Sequence, residues 1–142
     1  METLTMAKAQ KLTKAQKASL EMMCECQRPV VDSAWEAYAS TLEELGSTLL
    51  KLPKLYAQDK LGYNAIVYAH YFVGSTDIFV TERSGDDMFG YAILNGDYEM
   101  SELGYLSLSE LKSLPGLNLD FHWDETTLRE ALANVSDYFD NL

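Results

Sequence analysis

Apolar positions recur every three to four residues over the first third of the chain and about every second residue over much of the remainder, so helices are expected first and strands after them. Thr13-Lys14-Ala15-Gln16 fits a capping box, in which a threonine hydroxyl serves an orphan amide and a glutamine three residues on reaches back. A helix from about Lys14 to Cys26 is predicted behind it, with Pro29 closing the region. Ser33-Ala34-Trp35-Glu36 repeats the capping pattern, and Trp35, Tyr38, Leu42, Leu45 and Leu49 then mark one face of a second helix, with Gly46 as a candidate break.

After Pro53 the pattern changes. Tyr63 to Val73 and Thr76 to Glu82 are rich in β-branched and aromatic residues and flank Gly74-Ser75, which reads as a turn. Ser84-Gly85-Asp86-Asp87 is the next turn, Met88 to Leu94 the next strand, and Asn95-Gly96-Asp97 a further turn. Ser107-Leu108-Ser109-Glu110 is a third capping box, opening a short helix to about Leu114 that Pro115-Gly116 ends. Leu117 to Trp123 reads as a last strand, and Asp124 as the cap of a helix from Glu125 to Phe139. Turns this short leave no room for parallel crossovers. The expectation is an α+β fold, an antiparallel sheet of about four to five strands with helices packed on one face, in the order ααβββαβα.

Length makes residues 1–142 one domain, with a helical part over 1–52 and an α+β part over 53–142. Charge then separates the two parts. Residues 1–60 hold eight basic and eight acidic residues, whereas 61–142 hold three basic and fourteen acidic, so the net charge of -11 belongs to the second part. Cys24 and Cys26 are too few and too close for a disulfide framework and fit a reducing cytoplasm. No apolar run is long enough to span a bilayer, and the opening residues lack the apolar stretch of a signal peptide. A cytoplasmic protein with no membrane partner is expected.

From Thr76 onward the blocks TDIFVTE, FGYAILNGD, SELGYLSLSEL and LDFHWDETTL appear in order. Through Thr81, Glu82, Phe89, Gly90, Glu102, Leu103, Gly104, Tyr105, Ser107, Leu108, Glu110, Leu111, Asp120 and His122, the chain resembles an uncharacterised domain-of-unknown-function family found in proteins of plasmids, phages and other mobile elements. The resemblance covers roughly residues 52–132, taking Pro53-Lys54-Leu55-Tyr56 as the family's first strand. The helical segment of 18–52 and an added strand over Leu61 to Phe72 depart from the pattern. The resemblance implies a mobile-element origin only and carries no activity over to this chain.

Three groups of residues invite chemistry. Glu102-Leu103-Gly104-Tyr105 reads as a backbone turn in which Gly104 takes positive φ, or alternatively places Glu102 beside Asp97 and Glu99 as a base or ligand. Asp120, His122 and Asp124 alternate along the predicted last strand, which would turn all three to one face, where two carboxylates and an imidazole suit a divalent metal and an activated water. That is the alternative function: a metal-dependent hydrolase or nuclease. Against it, Asp124 is already explained as a cap and three polar residues on a solvated strand face are ordinary. Cys24 and Cys26 with His70 or His122 offer zinc-binding atoms, but thiols two residues apart on a helix diverge, so free buried or half-buried thiols are expected. With no phosphate loop, nucleophile elbow or paired-histidine zinc motif, no catalytic residue and no cofactor is expected.

The leading reading is therefore a non-enzymatic binding protein. An acidic surface including Asp86, Asp87, Asp97, Glu99 and Glu102 would engage and inhibit the basic face of a nucleic-acid-binding protein or ribonucleoprotein, such as a defence nuclease or a CRISPR effector. Duplex DNA about 30 Å long carries about 18 charges, so DNA mimicry requires the acids to lie on one side or a dimer to extend the row. Lys8, Lys11, Lys14 and Lys17 form a helix face that serves solvation or a contact with the acidic part; direct nucleic-acid binding is not expected beside so much acid. Trp35 and Tyr38 offer a face for a homodimer.

Overall fold

The computed structural model describes residues 11–142, so Lys8 and the start of the lysine series lie outside the described residues. The chain forms α1 (Lys14–Met22), α2 (Arg28–Ser33), α3 (Trp35–Leu49), β1 (Ile66–Val67), β2 (Ala69–Val73), β3 (Thr76–Ser84), β4 (Asp87–Ile93), β5 (Glu102–Ser107), α4 (Leu108–Ser113), β6 (Asn118–Leu119), β7 (Thr126–Thr127) and α5 (Leu128–Val135). Five strands make one antiparallel sheet in the order β5-β4-β3-β2-β6, and β1 pairs with β7 in a small second sheet. The α+β class and the antiparallel sheet are as expected.

The capping box at Thr13 forms in full: the Gln16 amide donates to the Thr13 hydroxyl and Thr13 N–H donates to the Gln16 side chain, both at 3.0 Å. Gly46 does not break α3. It lets α1 approach, because a Cβ there would lie 1.7 Å from the Ala15 carbonyl oxygen, and the contact is closed by Ser19 Oγ donating to Leu42 O at 2.6 Å. Pro29, expected to end a region, begins α2 instead, in the first turn where its missing N–H costs nothing. Ser33 ends α2 rather than capping α3.

Alternating side chains give the sheet two buried faces. Ala69, Tyr71, Ile78, Val80 and Met88 pack with Met22, Leu45, Leu49, Leu108 and Leu111, so α1, α3 and α4 lie on one face and share its core. Phe79, Tyr91 and Ile93 turn to the other face, where Leu128, Ala131 and Leu132 of α5 and Phe139 cover part of it, so helices lie on both faces and not on one as expected.

Four further sequence expectations change. The strand from Tyr63 splits at Tyr68 into β1 and β2, which belong to different sheets. The Glu102 block is the edge strand β5 and not a turn: Gly104 sits opposite Gly90 and has no positive φ. The final strand stops at Leu119, because Asp120 accepts the His122 N–H at 3.0 Å and turns the chain. Thr127, not Asp124, caps the last helix, accepting the Glu130 N–H at 3.2 Å.

Candidate partner-binding surface

Between Ser84 and Leu111 the chain holds six carboxylates and no basic residue, and this stretch builds β4, β5 and their connection. Asn95 and Gly96 take φ of 54° and 71°, the left-handed pair expected of an Asn-Gly turn. The turn is pinned to the neighbouring hairpin by Asn95 N–H donating to Thr76 Oγ1 at 3.0 Å and Gly96 N–H to Ser75 O at 2.9 Å. Tyr98 folds inward against Phe139, and Ser101 Oγ, 2.7 Å from the Tyr91 hydroxyl, donates to Tyr98 O.

With Tyr98 inside, Asp97, Glu99 and Met100 are left outside. Ala92, Leu94, Asn95, Asp97, Met100 and Glu102 line an open cleft of about 510 Å³. Leu94 and Met100 are 58% and 76% exposed, large values for such apolar side chains. Two carboxylates beside exposed aliphatic surface suit an arginine or lysine, whose stem is apolar and whose head is charged.

The five acidic residues singled out in the sequence therefore divide. Asp97 and Glu102 share the cleft, and Glu99 stands exposed on the same connection. Asp86 and Asp87 lie at the opposite end of β4, whose seven residues span about 20 Å at the usual rise. Asp86 is engaged: it accepts from Ser107 Oγ (2.8 Å), Ser109 N–H (2.8 Å) and Ser109 Oγ (3.0 Å), and these bonds hold its carboxyl below the usual range. It fastens the β3–β4 turn to the start of α4.

Glu82, almost fully buried, accepts the Tyr56 N–H at 2.8 Å and the Gln58 N–H at 2.6 Å. Gln58 in turn bridges Ile66 and Thr81. This carboxylate anchors the loop after α3. The loop carries Tyr56, with φ of 75°, to β5, where its hydroxyl lies 3.1 Å from that of Tyr105.

The strand ends before Asp120, His122 and Asp124, and the three do not share one face: His122 and Asp124 line an open cleft beside Glu44, and Asp120 lies apart from them. Asp120 turns instead to His70, its Oδ2 3.0 Å from Nδ1, while Asp77 Oδ1 lies 2.7 Å from Nε2. His70 is stacked on Phe79, with ring centroids 4.8 Å apart, and also touches Phe72 and Trp123. Burial works against its charge, but the bonds to Asp120 and Asp77 outweigh burial and raise its pKa above the ordinary 6.5. The bond from His70 outweighs burial at Asp120 and lowers its pKa. With a carboxylate oxygen facing each ring nitrogen, His70 ties β2, β3 and the chain after β6 together, and donates from both nitrogens when protonated. His122 and Asp124 are exposed, and among the described residues no three His, Cys, Asp or Glu side chains are placed to hold a metal ion.

The sequence reading missed this cluster although a signal existed. A tight turn at Gly74-Ser75 pairs Phe72 with Asp77 and His70 with Phe79, which puts His70 and Asp77 diagonally on one face. The apolar half of the cleft was missed too; its signal is Leu94 extending the β4 alternation past the last covered residue.

Cys24 is buried and its thiol is pushed up to about 12 by burial, while Cys26 is exposed, with Sγ 3.1 Å from Leu117 O. Trp35 is buried in the core, whereas Tyr38 is half-buried and packs edge-on against Phe121, with centroids 6.0 Å apart. Among the described residues no helix is long and apolar enough to cross a membrane. No family model, curated protein or solved structure matches the chain.

Proposed function

We propose that this is a binding protein of mobile-element origin that engages and inhibits a basic, nucleic-acid-binding protein or ribonucleoprotein of the host, such as a defence nuclease or CRISPR effector. The observation that carries the reading is the cleft in which Asp97 and Glu102 flank exposed Leu94 and Met100. Opposite fields speed association, and a wet acidic rim over apolar surface gives a basic side chain both a charge partner and a contact for its stem.

Geometry narrows the reading. Duplex DNA about 20 Å long presents about 12 charges, whereas β4 has two of the five selected carboxylates at one end, one of them engaged by serines, and the rest at the other. The surface therefore suits a few basic side chains rather than the imitation of a duplex.

The test is capture of purified restriction nucleases and CRISPR effectors on the immobilised chain, with inhibition of their DNA cleavage as the second readout. Asp97→Lys with Glu102→Lys should weaken capture at least about tenfold, and raised salt should weaken it further. Glu43→Lys with Glu44→Lys, on the exposed side of α3, should leave it nearly unchanged. Equal losses from the two pairs, or capture indifferent to salt, would refute the reading.

A further inference from the structure

The two edges of the main sheet are treated differently. At the β6 edge, only two residues long, the Gln27 side chain acts in place of a strand: its Nε2 donates to Leu119 O at 3.0 Å and its Oε1 accepts the Leu119 N–H at 2.9 Å. The β5 edge runs for six residues, Glu102–Ser107, and every second one must turn its N–H and C=O away from β4. Among the described residues no hydrogen bond closes these outer groups. Natural edges of this length usually carry lysine, proline or a bulge to prevent pairing. Here the strand is ELGYLS, with a single charge at its first residue.

We infer that β5 is a docking edge, to which an extended, lysine- or arginine-rich segment of a partner protein adds as a sixth strand. The inference rests on the binding reading above and deepens it by naming how the partner is held. Charge selects the occupant. The stretch from Ser84 to Leu111 has six carboxylates and no basic residue, so a second copy paired along this edge would bring acid against acid, while a basic segment meets a partner at either end.

Side chains of an added strand would alternate between two prepared surfaces. On the face of Glu102, Gly104 and Leu106 they reach the cleft with Asp97, Leu94 and Met100. On the other face they meet Tyr105 and Tyr56, both more than 60% exposed, whose ring faces attract cations. Gly104 leaves the middle of the strand open, since a Cβ built there meets nothing within 4 Å.

The probe is an end-blocked peptide alternating Lys and Val, compared with the same peptide N-methylated at every residue, which keeps the charge and removes every backbone donor. Binding is read by titration calorimetry, and pairing by hydrogen exchange of the β5 amides. The expected result is binding of the parent peptide with slowed β5 exchange, and affinity lower by at least roughly tenfold for the methylated peptide. Gly104→Lys, which fits the open space and places a like charge at the edge, should weaken the parent peptide by a similar factor. Gly104→Glu, equally bulky, should not weaken it, and so controls for folding.

If the methylated peptide binds as well as the parent with β5 exchange unchanged, strand addition is overturned while an acidic binding surface stands. If neither peptide binds, both this inference and the binding reading fall. Slowing of β5 exchange with protein concentration alone would identify the occupant as a second copy and overturn the inference.

Discussion

Replacing His70 with phenylalanine keeps the aromatic stack on Phe79 and removes both donors from Asp77 and Asp120. A hydrogen bond to a charged group contributes about 1.5–3 kcal/mol. The three side chains are 13%, 19% and 27% exposed, so water can partly replace the lost donors and the lower end of that range applies twice. The expected loss is about 3 kcal/mol, a large share of the roughly 5–15 kcal/mol by which domains are stable. For a chain of this size that corresponds to a fall of roughly 6–12 °C in Tm.

The pH dependence supplies a signature that a packing defect would lack. His70 has a raised pKa, so its contribution is complete below 6.5 and is lost as pH rises through its higher native value. Asp120 has a lowered pKa, so its contribution is present above the ordinary 3.8 and is lost as pH falls through its lower native value. Urea unfolding of both proteins followed by tryptophan fluorescence reads the difference, since Trp123 sits 5.1 Å from the His70 ring. The gap between wild type and His70→Phe should be widest in mildly acidic buffer and should narrow as pH rises through the raised native value of His70. A gap below about 1 kcal/mol at mildly acidic pH, or one that widens with rising pH, would refute the double-donor imidazolium.

Glu82→Gln replaces an acceptor-only group facing two backbone donors with an amide that turns one N–H toward them; a cost of about 2–3 kcal/mol and faster proteolysis between Lys54 and Leu61 are expected. Gly90→Ala should destabilise by about 2–4 kcal/mol, because its Cβ would lie 2.0 Å from the Phe79 carbonyl oxygen, whereas Gly104→Ala should shift Tm by no more than about 2 °C. Alkylation at neutral pH, followed by mass spectrometry, should label the exposed Cys26 and spare Cys24 until the chain is unfolded in urea.

Local signals in the chain carried the elements whose causes are local. The Thr13 and Ser107 caps, the turns at Gly74-Ser75 and Asn95-Gly96, and the central strands all depend on residues a few positions apart, and all were legible. The α+β class followed from them, as did the concentration of acid after residue 60. Tertiary structure decided what depends on neighbours distant in sequence. The Glu102 block looked like a turn because Gly104 weakens any strand signal; pairing with β4 makes it an edge strand. Asp120, His122 and Asp124 looked aligned because alternation assumes a strand; Asp120 instead accepts the His122 N–H, which turns the chain, and finds its histidine partner fifty positions back. Trp35 and Tyr38 were legible as apolar, but only the fold shows what covers them. Above all, which edge is blocked and which is open is set by Gln27 lying 92 residues from Leu119, a relation that no periodicity in the sequence records.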